Sequence, residues 1–192
     1  MYIYLLPLTS SATTGFSKET IVPTPDGGIE HTTAKFDAVG AWLARAAAGD
    51  ISLYPPQYYL LTLLSRFLPS EAQTELSTAE LQTQRDELLS FLAHVPTADS
   101  AAAAGHLTSR IPWADKVISP SALPVERSDG RVVLGLEKPG PELKGSGRGG
   151  DFERVVVTRF TREGPSEVEI RSREEILAEG KVVSNATVSG RL

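Results

Sequence analysis

Apolar residues recur along this chain in two rhythms, and the change between them divides it. Tyr2-Ile3-Tyr4-Leu5-Leu6 alternates aromatic or β-branched residues with leucine and predicts a strand. A strand this apolar needs partners at its edges and cover on its faces, so the expectation is a polypeptide that begins inside a fold. Ser10 to Gly28, polar and broken by Pro23, Pro25 and Gly27-Gly28, reads as loop. From there the spacing turns helical. Phe36, Val39, Leu43 and Ala47 predict a helix over residues 33–48, capped by Thr32 or Thr33 and ended by Gly49 in the left-handed conformation. Ile51 to Leu53 predicts a short extended piece. Pro55 and Pro56 suit the start of a helix running to Phe67, with Leu60, Leu63, Leu64 and Phe67 on one face and Pro69 beyond its end. Ser77 and Glu80 have the spacing of a capping box for a third helix carrying Leu81, Leu88, Leu89 and Leu92, closed by Pro96.

Residues 97–110, with Ala101 to Ala104 and Gly105, read as linker or frayed helix. Beyond them the period shortens. Arg131 to Leu136, Glu153 to Thr161 and Glu167 to Arg171 predict three strands, the last two joined by a tight turn at Gly164-Pro165. Residues 173–179 predict a short helix, and nothing periodic follows Gly180. The fold class expected is α+β, with residues 1–95 as one unit, 96–130 as linker, 131–180 as an antiparallel β-meander and 181–192 as tail.

Composition narrows the function classes. A net charge of −5 argues against a nucleic-acid surface, which needs a basic stripe. The absence of cysteine removes disulfides, thiolate zinc sites and cysteine nucleophiles. His31, His94 and His106 have no two-histidine metal spacing. No apolar run reaches membrane-spanning length, and residues 1–8 lack the basic start of a signal peptide.

Few constellations carry chemistry. Gly145-Ser146-Gly147-Arg148-Gly149-Gly150 matches G-x-G-x-x-G, but the dinucleotide reading needs a helix after the loop, and Phe152 to Phe160 reads as strand. A hairpin connection is the plainer account. An anion-binding loop using Lys144, Gly145, Gly147 and Arg148 is the weaker chemical one. Asp26, Glu30 and Asp37 offer three carboxylates to a hard cation, or simply a solvated loop and helix cap. Glu30-His31 lacks a second histidine. Tyr54, Tyr58 and Tyr59 around Pro55-Pro56 read as core packing rather than a base-stacking platform, and Trp42 and Trp113 as packing. The sequence contains no G-x-S-x-G and no G-x-x-x-x-G-K-[ST].

The segment Gly49-Asp50-Ile51-Ser52-Leu53-Tyr54-Pro55-Pro56-Gln57-Tyr58 carries a family resemblance. It matches G-[DE]-I-x-L-x-P-P-Q-[FY] at Gly49, Asp50, Ile51, Leu53, Pro55, Pro56, Gln57 and Tyr58. With the strand and helix before it, the chain from Met1 to about Phe67 resembles the second half of a Nudix hydrolase domain, in the subgroup of peroxisomal coenzyme A diphosphatases. The part from Leu136-Glu137-Lys138-Pro139-Gly140-Pro141 to Gly150-Asp151-Phe152-Glu153-Arg154 looks like the C-terminal extension of some of these proteins. The resemblance implies an incomplete Nudix-like α/β/α sandwich followed by the meander. It also implies hydrolysis of nucleotide or coenzyme A diphosphates with Mg²⁺ or Mn²⁺ held by glutamates. In the family those glutamates sit in G-x5-E-x7-R-E-U-x-E-E-x-G-U, where U is bulky and apolar, and a helix presents them on one face.

This chain does not contain that pattern. In Arg173-Glu174-Glu175-Ile176-Leu177-Ala178-Glu179-Gly180 the arginine, first glutamate and glycine are in register, but Leu177 and Ala178 replace the metal-binding pair. Arg159 and Pro165 replace the upstream glycine and glutamate. Arg85-Asp86-Glu87 fails likewise, at Leu89 and Ser90. The expectation is therefore a chain without a catalytic or metal site of its own: either part of an enzyme whose box precedes Met1, or a non-catalytic interaction module that pairs, or forms a homo-oligomer, through its exposed first strand. Neither a nucleic-acid nor a membrane partner is expected. The ending Ser189-Gly190-Arg191-Leu192 is similar to a peroxisomal S-K-L signal, with glycine at an atypical place, and the location expected is cytoplasmic or peroxisomal.

Overall fold

A computed structural model of the chain describes residues 37–68 and 76–182. The expected first strand, the carboxylates Asp26 and Glu30 with His31, and the ending at Leu192 lie outside the described residues. Among the described residues the protein is mixed α and β: five helices and a four-stranded antiparallel sheet.

Helix α1 (Val39–Ala47) starts later than the periodicity indicated; Ala38 is its N-cap, without a side-chain cap bond. Its end is as read, with Gly49 at φ +80°. Ile51 to Leu53 is irregular rather than a strand. Helix α2 (Pro55–Leu64) takes both prolines into its first turn, where their missing N–H groups have no intrahelical partner to lose. Its buried residues are Pro55, Tyr59 and Leu63, so the inward stripe is turned from the one that Leu60 and Leu64 suggested. Helix α3 (Thr78–Ala93) carries the expected capping box: Glu80 N donates to Ser77 Oγ, and the Glu80 carboxylate accepts from Ser77 N.

The stretch read as linker has defined structure. It holds α4 (Ala101–Ala104), 3-10 turns at Leu107–Arg110 and Trp113–Asp115, and the short strands β1 (Ser121–Ala122) and β2 (Val125–Glu126). Short polar side chains fix it. Ser100 Oγ caps α4, and the Thr97 hydroxyl, buried, reaches the carbonyls of Thr108 and Ser109. These local bonds have no apolar period, which is why the sequence pattern passes over them.

Strands β3 (Val132–Leu136), β4 (Asp151–Thr161) and β5 (Gly164–Ser172) form the meander, and β1 joins it as a fourth strand in the order β1-β3-β4-β5. The β4–β5 turn is Arg162-Glu163; Pro165 lies within β5 opposite Phe160, not in the turn. Helix α5 (Arg173–Glu179) follows, and β6 (Lys181–Val182) pairs with β2.

Alternation along the strands sends side chains to two cores. On one face Leu134, Leu136 and Val156 pack with Tyr59 and Leu63 of α2, joined by Phe91, Trp113 and Ile170. On the other Val133, Val155 and Val157 pack with Ile176 of α5. The sheet is thus covered by α2 on one side and α5 on the other. Helix α2, which continues the family-like segment, and the C-terminal strands share one hydrophobic cluster, where the sequence suggested two units joined by a linker.

Candidate functional site

The residues that carry the resemblance build a corner. Gly49 turns the chain, with no atom near the place a Cβ would take. Gln57 Oε1 accepts from Tyr54 N at 3.0 Å, closing the first turn of α2. Ile51, Leu53 and Tyr58 then line one wall of a groove of about 500 Å³, with Ala46 and Ala47 of α1 beside them. Residues 165–169 of β5 and the pair Asp129 and Arg131 form the rest. Asp50 is exposed and has no part in the lining.

The groove offers little to a phosphate. Arg131, the cation among its lining residues, binds Asp129 and Glu169 at 3.0 Å each. Glu167 is paired with Arg159, also at 3.0 Å. Nor does β5 present a clean edge to a peptide strand. Pro165 has no N–H, and the register passes from Val157↔Glu169 to Arg159↔Ser166, leaving one extra residue on β5. Glu167 takes the left-handed conformation there, at φ 51°. Proline, bulge and charge together blunt an edge strand.

Behind the groove, one residue beyond the matched motif, lies a buried polar node. The Tyr59 hydroxyl donates to Asp151 Oδ2 at 2.5 Å, and Arg154 Nη1 donates to the same oxygen at 3.1 Å. Glu153 N donates to Asp151 Oδ1 at 2.8 Å. Tyr59 is fully buried and Asp151 is 2 % exposed. The register explains how Asp151 and Arg154 come to meet. Pairing jumps from Gly135↔Val155 to Leu136↔Asp151, so residues 152–154 are unpaired on the β3 side. Burial first, then the Asp151 carboxylate, pushes the Tyr59 phenol well above its usual range. Both carboxylate oxygens of Asp151 therefore have donors within the protein, and the node fastens α2 to β4.

Lys116 lies beside it, bonded to the carbonyl of the residue before Asp151. Its ammonium donates to the carbonyls of Thr108 and Gly150 at 2.8 and 2.9 Å and sits 4.8 Å from the Trp113 ring. Half-burial lowers its pKa to about 8. Close by, the His106 ring stacks on Phe152 at 4.2 Å, and the Arg173 guanidinium lies 4.3 Å from the same ring while pairing with Glu137. Desolvation first lowers the His106 pKa, against the raising effect of Glu137.

The glycine loop is a connection within the β3–β4 hairpin. A strand, not a helix, follows it, so the dinucleotide reading has no helix N-terminus to use. Lys144, Gly145, Gly147 and Arg148 are exposed; Gly145 and Gly147 have φ of +81° and +76°. Gly149 and Gly150 lie where backbones approach closely: a Cβ on Gly149 would lie 2.6 Å from Glu137 O, and one on Gly150 would strike Leu136 O. These glycines serve packing.

Among the described residues no group of three or more His, Asp or Glu side chains is placed to hold a metal ion. Asp129, Asp151, Glu169 and Glu179 each face an arginine instead. These four carboxylates, engaged by arginines, thus do not fit a Mg²⁺ or Mn²⁺ centre among the described residues. No described helix is long and apolar enough to cross a membrane. The Tyr59–Asp151–Arg154 node escaped the sequence reading because its members lie far apart in the chain; the only local sign was Asp-x-x-Arg at the head of a strand.

Comparison of the chain with family models, curated proteins and solved structures gives no match.

Proposed function

We propose that this chain is part of a Nudix-type hydrolase of nucleotide or coenzyme A diphosphate bonds, and that by itself it does not hydrolyse them. What supports the reading is the segment Gly49–Tyr58. Most of its matching residues have a backbone or packing role. Gly49 makes the left-handed turn, Pro55 and Pro56 open the helix, Gln57 caps it, and Ile51, Leu53 and Tyr58 form the groove wall. Tyr59, directly after it, secures the corner to the sheet. A signature made of such positions marks a fold rather than a reaction centre. On this reading the described helices and sheet belong to an incomplete Nudix-like sandwich and its extension.

The metal-binding glutamates of the family have no counterpart in the sequence. The nearest approach to the box is α5, where Ile176 is buried, Arg173 binds Glu137 and Glu179 binds Arg127 and Arg171. No step of hydrolysis is assigned to this chain's residues. A cytoplasmic or peroxisomal location goes with the reading, the second resting on Gly190-Arg191-Leu192.

The test is hydrolysis of coenzyme A and nucleoside diphosphate sugars by purified residues 1–192 with Mg²⁺ or Mn²⁺. No turnover above buffer is expected; steady turnover would refute the inactivity. The family reading is tested by a version extended ahead of Met1 with a box-carrying segment. Metal-dependent turnover of the folded, extended protein is expected, and its absence would count against the family.

A further inference from the structure

Six charged side chains close a ring over the sheet face that carries α5. Arg127 binds Asp129 at 2.8 Å, Asp129 binds Arg131 at 3.0 Å, and Arg131 binds Glu169 at 3.0 Å. Glu169 reaches Arg171 at 3.8 Å, Arg171 binds Glu179 at 2.8 Å, and Glu179 returns to Arg127 at 3.2 Å. Every arginine lies between two carboxylates and every carboxylate between two arginines. The members come from the stretch between β2 and β3, from β5 and from the last turn of α5.

Single surface pairs contribute little, because water and salt screen them and the side chains must be ordered. A closed ring differs, since each ordered side chain serves two contacts. The arginine side chains are only 13, 17 and 26 % exposed. In the register Glu169 stands beside Val157 and Arg171 beside Val155, both fully buried. The ring therefore borders the second hydrophobic cluster.

Outside the ring the segment is held at its start by Arg173, which binds Glu137 and the Phe152 carbonyl, and beyond that point its anchors are few. Helix α5 buries one residue, Ile176, and β6 pairs with β2 over two positions. Glu179 also stands at the C-terminal end of α5, where a carboxylate opposes the helix dipole and the last turn has no basic residue of its own. Arg127 and Arg171, from elsewhere in the chain, supply the missing positive charge. They hold the Glu179 carboxyl below its usual range, the Arg171 hydrogen bond first.

We propose that this ring is an ionic latch: it holds residues 173–182 on the sheet, and raising the ionic strength releases them as a unit while the Tyr59 side of the sheet stays closed. Local opening of this kind is read by amide hydrogen exchange. The intact chain is followed from about 0.01 M to about 1 M NaCl, across which the Debye length falls from roughly 30 Å to about 3 Å. Exchange in 173–182 is expected to quicken roughly threefold to tenfold, with residues 155–157 of β4 unchanged. Glu179→Gln at low salt is expected to exchange as fast as the wild type at high salt and to lose the response. Glu174→Gln, at the other end of α5, is expected to keep it. Salt-independent exchange in the wild type, β4 opening together with 173–182, or a full salt response in Glu179→Gln would each overturn the proposal. The wild-type series alone decides the matter should the variant fail to fold.

Discussion

Replacing Tyr59 with phenylalanine removes one oxygen and leaves the ring in its place in the core. That oxygen donates to Asp151 Oδ2 at 2.5 Å inside a node from which water is excluded. A hydrogen bond to a charged acceptor is worth about 1.5–3 kcal/mol. Arg154 still donates to the same oxygen and Glu153 N to the other, so Asp151 is not orphaned and the loss should sit near the lower part of that range, about 2 kcal/mol. For a chain of this size that is roughly 4–8 °C in Tm. Asp151→Ala is the harsher change. It strips Arg154 of a nearly buried partner and leaves the Tyr59 hydroxyl unpaired; breaking such a pair costs about 3–5 kcal/mol. Glu153 and Asp99, at 3.7 and 3.5 Å from Arg154, keep the loss at the low end of that range. Urea unfolding followed by far-ultraviolet circular dichroism measures both, with Tyr58→Phe in the groove wall as control. A loss below about 0.5 kcal/mol for Tyr59→Phe, or an equal loss for Tyr58→Phe, would refute the claim that the node fastens α2 to the sheet.

The two kinds of glycine in the 145–150 loop should respond differently. Gly150→Ala brings a methyl group against Leu136 O and 2.7 Å from Val117 O, an overpacking cost of about 1–3 kcal/mol. Gly147→Ala meets no atom and pays only for its φ of +76°, about 1–2 kcal/mol. Unfolding midpoints rank the two, and a larger loss at Gly147 would contradict the close-approach account. Lys116 gives a pH dependence. Its folded pKa, about 8, lies below the ordinary 10.5, so between pH 8 and 10 the unfolded chain binds more protons and stability should rise with pH. Lys116→Met should abolish that rise in the urea midpoint; a rise of the same size in the variant assigns it elsewhere. Glu80 gives a slope of the same sign in the acid range. Its carboxyl is held below 4.5 by the Ser77 hydroxyl and N–H, so the cap on α3 is in place above that pH and is lost as pH falls through the folded value. A helical signal whose loss on acidification is unaltered in Ser77→Ala would contradict this.

Much of the secondary structure was legible because it rests on local chemistry. Pro55-Pro56 marked a helix start, Ser77 and Glu80 a capping box, and the alternation in Arg131–Leu136 and Glu153–Thr161 two central strands. Three things were not legible. Residues 97–126 are ordered by hydroxyl-to-carbonyl bonds and two-residue pairings, which have no period to read. The inward face of α2 is chosen by Tyr59, whose hydroxyl can enter the core only because a register shift 92 residues later aims a carboxylate at it. The ring from Arg127 to Glu179 joins four separate stretches that each read as ordinary solvated charge. In each case the deciding partner lies outside the window over which a pattern can be seen. The candidate site was half legible: the corner from Gly49 to Tyr58 was singled out, whereas the node that holds it was not.

The central claim is that Asp129, Asp151, Glu169 and Glu179 are committed to arginines, and that among the described residues no three His, Asp or Glu side chains are arranged for a divalent ion. Isothermal titration of residues 1–192 with Mg²⁺ and with Mn²⁺ tests it most directly. The account predicts no saturable uptake by either ion. Stoichiometric binding that disappears when Asp129, Asp151 or Glu169 is replaced by its amide would contradict it.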